Sequence, residues 1–369
     1  MRWSFWLEIR LSALKANLAS LKKITGPEVK FLPVIKSEAY GHGLVPVART
    51  LASEGIYGFG LSDLDEALRI REAGLALPIL LLSGFEPAWL PEIVRLKVIP
   101  AVIDLYQLKL LADFARNQGK SIPFHLKIDT GMGRFGILPE ELPKALEIIK
   151  TSPRLRLEGI MSHLSCAEKP ASDLTIKQKR VFRETLEKLT SKGVQPRFIH
   201  LANSAALILS KDAHYNLVRP GLALYGAYPF PEKKNYLKLK PVMTAKARIL
   251  SVKKIKARGA IGYGPLFTAP KNMEIALVPV GYDDGYLRSL SNTGFGWIKG
   301  KRVPLVGAVS MRAIAFDVTG LNVVPGDEII LLGGPNSEVP AEELAARGKT
   351  IPYELFCLLG RCSLKIYLD

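Results

Sequence analysis

The feature that most constrains the fold of this chain is a regular alternation of apolar segments with helical stretches, between about residues 10 and 225. Leucines at positions 11, 14, 18 and 21 have the spacing of one helix face, and residues 64–73 and 173–192 are further helical stretches, each followed by a glycine. Strands that alternate with helices predict a parallel sheet covered by helices. The candidate strands are residues 31–35, 56–62, 78–82, 98–103, 123–129, 158–163, 197–201 and 216–219, with 221–225 directly after the last.

Eight such strands predict an α/β protein with a (β/α)8 TIM-type barrel. A doubly wound open sheet would show the same alternation. That arrangement predicts a glycine-rich phosphate fingerprint after the first strand, and residues 36–44 do not contain one. We therefore expect the barrel.

The pattern changes after Pro229. Residues 229–240 are basic and begin with two closely spaced prolines, which is typical of a linker. Beyond them the apolar residues alternate as in strands, and Gly, Pro and Asp turns separate the segments. The chain is therefore expected to form a barrel domain over residues 10–236 and a β-rich domain over residues 237–369. The strand candidates of the second domain are residues 242–255, 275–280, 296–309, 313–318 and 328–332.

Charge and cysteine content limit the partners of this chain. Its 51 Lys and Arg residues against 34 Asp and Glu residues give a net charge of +17, which raises the question of nucleic-acid binding. The basic runs, such as Lys253-Lys254-Ile255-Lys256, are short and interleaved with apolar residues, and no nucleic-acid-binding motif accompanies them. Three cysteines are too few for a disulfide framework, and we find no signal-peptide or membrane-length apolar run. We expect a cytoplasmic protein without nucleic-acid or membrane partners.

Lys36 is the most unusual residue of the first strand region. It follows the apolar run 31–35 and precedes a turn-forming segment that contains Gly41 and Gly43. Burial favours the neutral form of a lysine, and a neutral amine is what forms an imine with a carbonyl cofactor. The alternative is a strand-end lysine whose ammonium extends to solvent.

Further polar residues follow the other strands, at the barrel rim where catalytic groups gather. Each has a purely structural alternative: Ser204 as a helix cap, the Gly131 and Gly133 pair as a turn, and His163 as a hydrogen-bonded core histidine. Their occurrence together with Lys36 at one rim favours an active site. The loops after the last two strands also offer amides suited to a phosphate. The set comprises Lys127, Asp129, Arg134, His163, Asn203, Ser204, Arg219, Gly221 and Leu222.

With these residues and motifs, the chain resembles the bacterial alanine racemases, which are pyridoxal-phosphate (PLP) enzymes built from a barrel and a β domain. Two motifs carry most of the resemblance: Val34-Ile35-Lys36-Ser37-Glu38-Ala39-Tyr40-Gly41-His42-Gly43, which matches the PLP-lysine motif, and Lys127-Ile128-Asp129-Thr130-Gly131-Met132-Gly133-Arg134. The segments 202–206, 218–221, 262–264, 280–285 and 351–354 also match, in the same order. The resemblance implies a homodimer with shared active sites, in which residues 1–9 join the β-rich domain and that domain contributes to the partner subunit's site.

The resemblance implies a two-base mechanism that interconverts L- and D-alanine, with D-alanine going to peptidoglycan. Lys36 would hold PLP and serve one face of the substrate, and Tyr263 would serve the other. An ordinary tyrosine titrates near ~10, so Tyr263 would need nearby cations or hydrogen-bond donors. Arg219 would bind the pyridine nitrogen without protonating it, because an arginine keeps its proton. The other implied PLP contacts are Tyr40, His163, Asn203, Ser204, Gly221, Leu222 and Tyr353.

The remaining implied roles concern substrate. Arg134, the Met311 amide and Tyr263 would bind it, and Lys127 would be a candidate for carboxylation, which would let it pair with Arg134. No metal is implied. The expected entrance to the site consists of Glu168, Tyr282, Arg288 and Arg312.

The chain departs from the family pattern at two places. Ser37-Glu38 stands where relatives commonly have Ala-Asn. In Gly307-Ala308-Val309-Ser310-Met311-Arg312, the family usually has arginine after the glycine and aspartate after the methionine. These changes leave the PLP set intact and leave open a racemase of another small amino acid, such as serine.

A barrel-type PLP decarboxylase and a PLP-holding regulatory protein would also place a PLP lysine in a barrel. The decarboxylase, however, is expected to lack the Lys127–Arg134 motif, and the regulatory protein a β domain with an opposite-face tyrosine.

Overall fold

The structure is a computed structural model that describes residues 4–230, 237–362 and 364–369. The predicted boundary at residue 236 and the first three residues of the predicted amino-terminal strand lie outside these residues. The first strand is β1 (Phe5–Arg10), and α1 (Leu11–Lys23) follows it directly. Within the described residues, no helix is both long and apolar enough to cross a membrane.

Eight parallel strands form a barrel, which confirms the predicted fold class. β3 to β8 make a continuous six-stranded parallel sheet, and β2 pairs with β9. The two groups join on both sides: Val34, beyond β2, pairs with Gly60 of β3, and the Arg219 amide, beyond β9, donates to the Ala202 carbonyl at 2.9 Å. The strands are β2 (Lys30–Phe31), β3 (Phe59–Leu61), β4 (Ile79–Leu81), β5 (Ile99–Val102), β6 (Ile122–Lys127), β7 (Leu155–Met161), β8 (Phe198–His200) and β9 (Leu217–Val218).

Helices alternate with the barrel strands, and side-chain caps fix the start of several of them. Asp63, Asp104 and Ser172 each accept an amide of the following first turn, as helix-capping residues do. The predicted strand at residues 221–225 is wrong, because Leu222–Tyr225 forms a turn of 3-10 helix. The helices are α2 (Lys36–Tyr40), α3 (Leu44–Ala52), α4 (Leu64–Glu72), α5 (Leu90–Arg95), α6 (Leu105–Gln118), α7 (Leu142–Thr151), α8 (Asp173–Ser191) and α9 (Ser204–Leu209).

The second part of the chain is mostly β, as predicted. A six-stranded sheet has the order β14-β13-β16-β10-β1-β17, and β11, β12 and β15 form a second sheet. β1 is antiparallel to β10 and parallel to β17, so the amino-terminal strand belongs to this sheet. The elements are β10 (Met243–Arg248), β11 (Ser251–Ile255), β12 (Met273–Val278), β13 (Phe295–Ile298), β14 (Lys301–Pro304), β15 (Ile314–Asp317), β16 (Glu328–Leu332), α10 (Ala341–Arg347), α11 (Pro352–Cys362) and β17 (Leu364–Leu368).

Two predicted strands of this part differ from the observed ones. Residues 242–255 form β10 and β11, which lie in different sheets, and residues 296–309 contain the β13–β14 hairpin. Alternation of apolar residues does not reveal where a strand changes sheet.

A close backbone approach joins the barrel to the second part. A Cβ on Gly41, just after α2, would lie 2.2 Å from the Phe356 carbonyl oxygen of α11, and Gly41 has φ +79°. Only glycine fits both the conformation and the space. The end of the Lys36 segment is therefore fixed against the helix that carries Tyr353.

Candidate active site

Lys36 is the first residue of α2, and this short element is a left-handed turn. Ser37, Glu38, Ala39 and Tyr40 all have φ between 53° and 56°, a region that L-residues rarely occupy. Sequence analysis predicted a turn here but not its hand. Strained backbone of this kind is held in place by its surroundings and is often found at functional sites.

Lys36 lines a cavity of about 350 Å³ at the carboxyl ends of the barrel strands, a volume in the range of small-ligand sites. Eleven of the predicted site residues line this cavity together, at the rim where the carboxyl ends of the barrel strands meet. These are Lys36, Tyr40, Lys127, Arg134, His163, Asn203, Ser204, Arg219, Gly221, Leu222 and Tyr353. Val34, Leu82, Ser83, Met161 and Ile351 complete the lining.

The cavity is rich in basic side chains. Lys127 and Arg219 are buried, Lys36 is half-buried and Arg134 is exposed. Burial lowers the pKa of Lys36, and the positive charge of Arg134 lowers it further. Burial, together with Arg219, Arg134 and Lys36, lowers the pKa of Lys127 to about 7. Burial and the same neighbours hold the pKa of His163 well below its usual range, so this histidine is neutral. The cavity therefore suits an anionic ligand and a neutral amine at Lys36.

Asp129 organises the loop that carries Arg134. Its carboxylate accepts the amides of Gly131, Met132 and Gly133 through Oδ1 and the amide of Arg134 at 2.9 Å through Oδ2. Burial alone would raise the pKa of Asp129, but these four amides outweigh it and lower the pKa. Asp129 is thus a structural anion, whose oxygens are already satisfied by backbone amides.

Arg219 is 3% exposed and is fixed by four hydrogen bonds. It donates to His200 Nδ1 and to the His200 carbonyl, both at 2.9 Å, and to the carbonyls of Ser162 at 2.7 Å and Leu201 at 3.2 Å. His200 Nε2 in turn lies 2.7 Å from His125 Nδ1. Because Arg219 donates to Nδ1, His200 is neutral, with its proton on Nε2 and shared with His125.

The two loops after β8 and β9 converge on one hydroxyl. The amides of Gly221 and Ala223 donate to Ser204 Oγ at 2.9 and 3.2 Å. Asn203, rather than Ser204, caps α9, since its side chain accepts the Ala206 amide at 3.0 Å. A Cβ on Gly221 would lie 2.7 Å from Tyr40 Oη, so the glycine keeps this corner open. Because its oxygen accepts these two amides, the Ser204 hydroxyl keeps its own proton to donate. Hydroxyl donors beside cations are what a phosphate needs, and the site therefore fits PLP.

Tyr40 and Tyr353 form the wall of the cavity near this corner. Their ring centroids lie 5.7 Å apart, and Tyr40 also packs against Tyr225 at 5.0 Å. Burial raises the pKa of Tyr40 and, with Glu168, raises the pKa of Tyr353 to about 12. Both tyrosines are therefore neutral hydroxyl donors at neutral pH.

The predicted opposite-face and entrance residues are not part of this cavity. Tyr263 is 74% exposed and Met311 is 57% exposed, and Tyr282, Arg288 and Arg312 are exposed as well. Two of their loops are joined, because the amides of Tyr282 and Asp283 donate to the carbonyls of Ser310 and Met311. Arg312 lies 3.7 Å from Asp284. Of the predicted entrance, only Glu168 lies beside the cavity, close enough to Tyr353 to affect its pKa.

Sequence analysis missed the residues behind the cavity. His200 ends β8 and His125 lies inside β6. The only signal in the sequence was that both are polar residues within apolar strands. Their link to Arg219 depends on packing across the barrel, which residue types alone do not show. No cluster of three or more potential metal-ligating side chains occurs in the part of the chain that the structure describes.

Comparison with known proteins decides the family. The model for the alanine racemase N-terminal domain matches residues 9–229, and the model for the alanine racemase C-terminal domain matches residues 242–367. The chain belongs to the alanine racemase family. An alanine racemase of Syntrophobacter fumaroxidans is 41% identical over 98% of this chain and 97% of its own length, and one of Desulforamulus reducens is 38% identical over the full length of both.

Solved structures of this family superpose on the whole chain. The alanine racemase of Streptomyces lavendulae has a TM-score of 0.93 at 31% identity and covers 100% of this chain and 98% of its own. The alanine racemase of Bartonella henselae, a structure with covalently bound pyridoxal phosphate, has a TM-score of 0.90 at 28% identity over 99% of this chain and 100% of its own. The fold and the resemblance inferred from the motifs are thus confirmed.

Proposed function

We propose that this protein is an alanine racemase that uses PLP and interconverts L- and D-alanine by a two-base mechanism. The observation that carries the proposal is the cavity that joins the half-buried Lys36, a fixed arginine and a phosphate-type donor set in a chain of this family. When bound, PLP supplies an electron sink that makes the α-proton of an amino acid removable. The chain's own residues bind, orient and exchange protons around it.

Lys36 is the base and cofactor lysine. Partial burial and the nearby Arg134 lower the pKa of Lys36, which favours the neutral amine, the form that reacts with a carbonyl and that accepts a proton. The left-handed turn fixes its backbone at the cavity wall. In one direction Lys36 Nζ takes the α-proton from one face of the substrate while the Tyr263 hydroxyl gives a proton to the opposite face. In the reverse direction the two groups exchange these roles.

Arg219 would bind the pyridine nitrogen. Burial lowers its pKa to about 9, still above neutral pH, so it donates a hydrogen bond without giving up a proton. A ring that stays unprotonated withdraws electrons less strongly, which limits side reactions such as transamination. The four hydrogen bonds to His200, Ser162 and Leu201 hold the guanidinium in one position.

The phosphate would lie between Ser204, the amides of Gly221 and Leu222, and the hydroxyls of Tyr40 and Tyr353. His163, in the loop after β7, and Asn203, in the loop after β8, would also contact the cofactor. Neutral hydroxyls and amides donate to a phosphate without adding charge, while the cavity cations balance its negative charge.

Tyr263 would serve the opposite face from a second copy of the chain. Its exposure, and its absence from the cavity of its own chain, support a homodimer in which the β-rich domain of each subunit completes the other's site. The exposed Met311 and Tyr282 loops would come with it, giving an amide for the substrate carboxylate and part of the entrance. We propose residues 10–236 and 237–369, the latter with residues 1–9, as the two domains.

Arg134 would hold the substrate carboxylate, and Lys127 would be carboxylated. The low pKa of Lys127 favours the neutral amine that CO2 requires, and the product would be an anion among Arg134, Arg219 and Lys36. Both Lys127 Nζ and the Arg134 guanidinium approach the Phe135 ring, at 5.3 and 5.8 Å, which brings the two side chains to the same place. We further propose that the protein is cytoplasmic and supplies D-alanine for peptidoglycan.

The test is a racemisation assay on a panel of L-amino acids with added PLP, followed by chiral chromatography. We expect conversion of L-alanine to an equal mixture of enantiomers, and slower conversion of L-serine. Faster racemisation of serine than of alanine would identify serine as the preferred substrate. Release of carbon dioxide without racemisation would indicate a decarboxylase. Absence of both reactions from the PLP-loaded protein would refute the proposal.

A further inference from the structure

Glu66 is a buried carboxylate that the proposed mechanism does not use. It lies in the first turn of α4 and is 8% exposed. Its Oε1 accepts the Glu38 amide at 2.9 Å, while Oε2 is buried and has no hydrogen-bond partner among the described residues. An unpaired buried carboxylate oxygen is costly, so its presence calls for an explanation.

The amide that Glu66 binds belongs to the left-handed turn. Glu38 is the second of four consecutive non-glycine residues with positive φ, two positions after Lys36. The side chain of Glu38 is also bound to α4, because Arg69 donates to both of its carboxylate oxygens. Its Oε2 accepts the Leu44 amide at 3.4 Å as well. Residue 38 is thus bound to α4 at its backbone and at its side chain.

We propose that Glu66 is a positioning residue for Lys36: its carboxylate holds the left-handed turn through the Glu38 amide and supplies a negative charge beside an otherwise cationic cavity. The proposal rests on the proposed function only in taking Lys36 as the reactive amine.

The surroundings of both groups define the expected effect. Burial and Arg134 favour the neutral form of Lys36, whereas Glu66 opposes them, so the carboxylate keeps the pKa of Lys36 from falling further. Burial raises the pKa of Glu66 itself, while the Glu38 amide and Arg69 act in the other direction. Among the described residues, the titratable groups that face Lys36 are Arg134, Lys127, His163, Glu66 and Cys357, and those that face Glu66 are Glu38, Asp63, Arg69, Tyr225 and Lys36.

The test uses the full chain freed of cofactor. Trace labelling with acetic anhydride across a pH series, read by peptide mass spectrometry, gives the apparent pKa of the Lys36 amine, with exposed Lys120 as the internal reference. In Glu66→Gln the amide oxygen still accepts from Glu38 but the charge is gone, so the apparent pKa of Lys36 should fall by about half a unit or more. Glu72→Gln removes an exposed carboxylate from the same helix and is the matched control, with no expected change.

Hydrogen exchange separates the role in geometry from the role in charge. In Glu66→Asp the carboxylate stays but is one methylene shorter, so exchange in a peptide covering residues 36–44 should accelerate while the Lys36 labelling curve remains near that of the wild type. If Glu66→Gln does not fold, hydrogen exchange in Glu66→Asp still tests whether Glu66 holds the turn. The proposal is overturned if exchange in Glu66→Asp equals that of the wild type, or if Glu66→Gln folds and labels Lys36 along the wild-type curve.

These measurements involve neither PLP nor alanine. A wild-type protein that does not racemise alanine would refute the proposed function and leave the labelling result standing. Conversely, a wild-type labelling curve in Glu66→Gln would refute the positioning role and leave the racemase proposal intact.

Discussion

Replacing Lys127 by methionine should change how the stability of the protein depends on pH. Lys127 is 4% exposed and donates to the Leu82 carbonyl at 2.8 Å, and its pKa in the folded state is about 7 against the usual value of 10.5. Methionine keeps most of the volume and removes the amine. The hydrogen bond lost to Leu82 adds an offset that does not depend on pH.

The magnitude follows from proton linkage. Between pH 7 and 10.5 the lysine of the unfolded chain is protonated while the folded one is largely neutral, so the unfolded state binds more protons and the free energy of unfolding rises with pH. Each pH unit in this window is worth about 1.4 kcal/mol. From pH 7.5 to 9.5, the wild type should therefore gain about 2–3 kcal/mol relative to Lys127→Met. Below pH 6.5 the difference should be constant.

The assay is urea unfolding of the cofactor-free protein at a fixed chain concentration, in buffers stripped of carbon dioxide. Lys120→Met, which removes an exposed lysine just before β6, is the matched control and should run parallel to the wild type. Adding bicarbonate should stabilise the wild type and leave Lys127→Met unchanged, since only a neutral amine takes up CO2. Parallel profiles for the wild type and Lys127→Met from pH 7.5 to 9.5 would refute the low pKa and the argument for carboxylation built on it.

Two further substitutions test other parts of the site. Gly221→Ala places a Cβ 2.7 Å from Tyr40 Oη, so a PLP titration followed by absorbance should show about 10- to 100-fold weaker binding, whereas Gly26→Ala, with no atom within 4 Å, should bind as the wild type does. Equal affinities would contradict the proposed phosphate corner. Arg219→Lys keeps the charge but has three N–H groups for four acceptors, so thermal and urea unfolding should show a loss of about 1–3 kcal/mol, and racemisation should slow. Unchanged stability together with unchanged kcat would count against the role of the fixed guanidinium.

Much of the fold could be predicted because the barrel strands and helices repeat along the sequence. The rim residues Lys36, Lys127 and Arg219 were predicted to meet because the carboxyl ends of parallel strands share one edge, and they line one cavity. The residues 221–225 were misread because an apolar run fits both a buried strand and a buried helical turn.

The features that could not be predicted depend on contacts between distant segments. β17 pairs with β1 across the whole length of the chain, and a five-residue strand gives no signal of its partner. None of the residue types at Ser37–Tyr40 favours positive φ, and the contacts of this turn with α4 and α11 come from distant parts of the sequence. The link from Arg219 through His200 to His125 likewise needs the barrel to be closed.

The central claim is that Lys36 and Tyr263 act on opposite faces of one substrate and come from different subunits. The most direct test mixes Lys36→Ala and Tyr263→Phe chains, each inactive alone, under conditions of verified subunit exchange. In a randomly mixed population half of the dimers are mixed, and each of these has one site with both residues intact, so racemisation of L-alanine should recover to about a quarter of the wild-type rate. No recovery despite exchange, with both variants still folded and PLP-loaded, would contradict the shared two-base site.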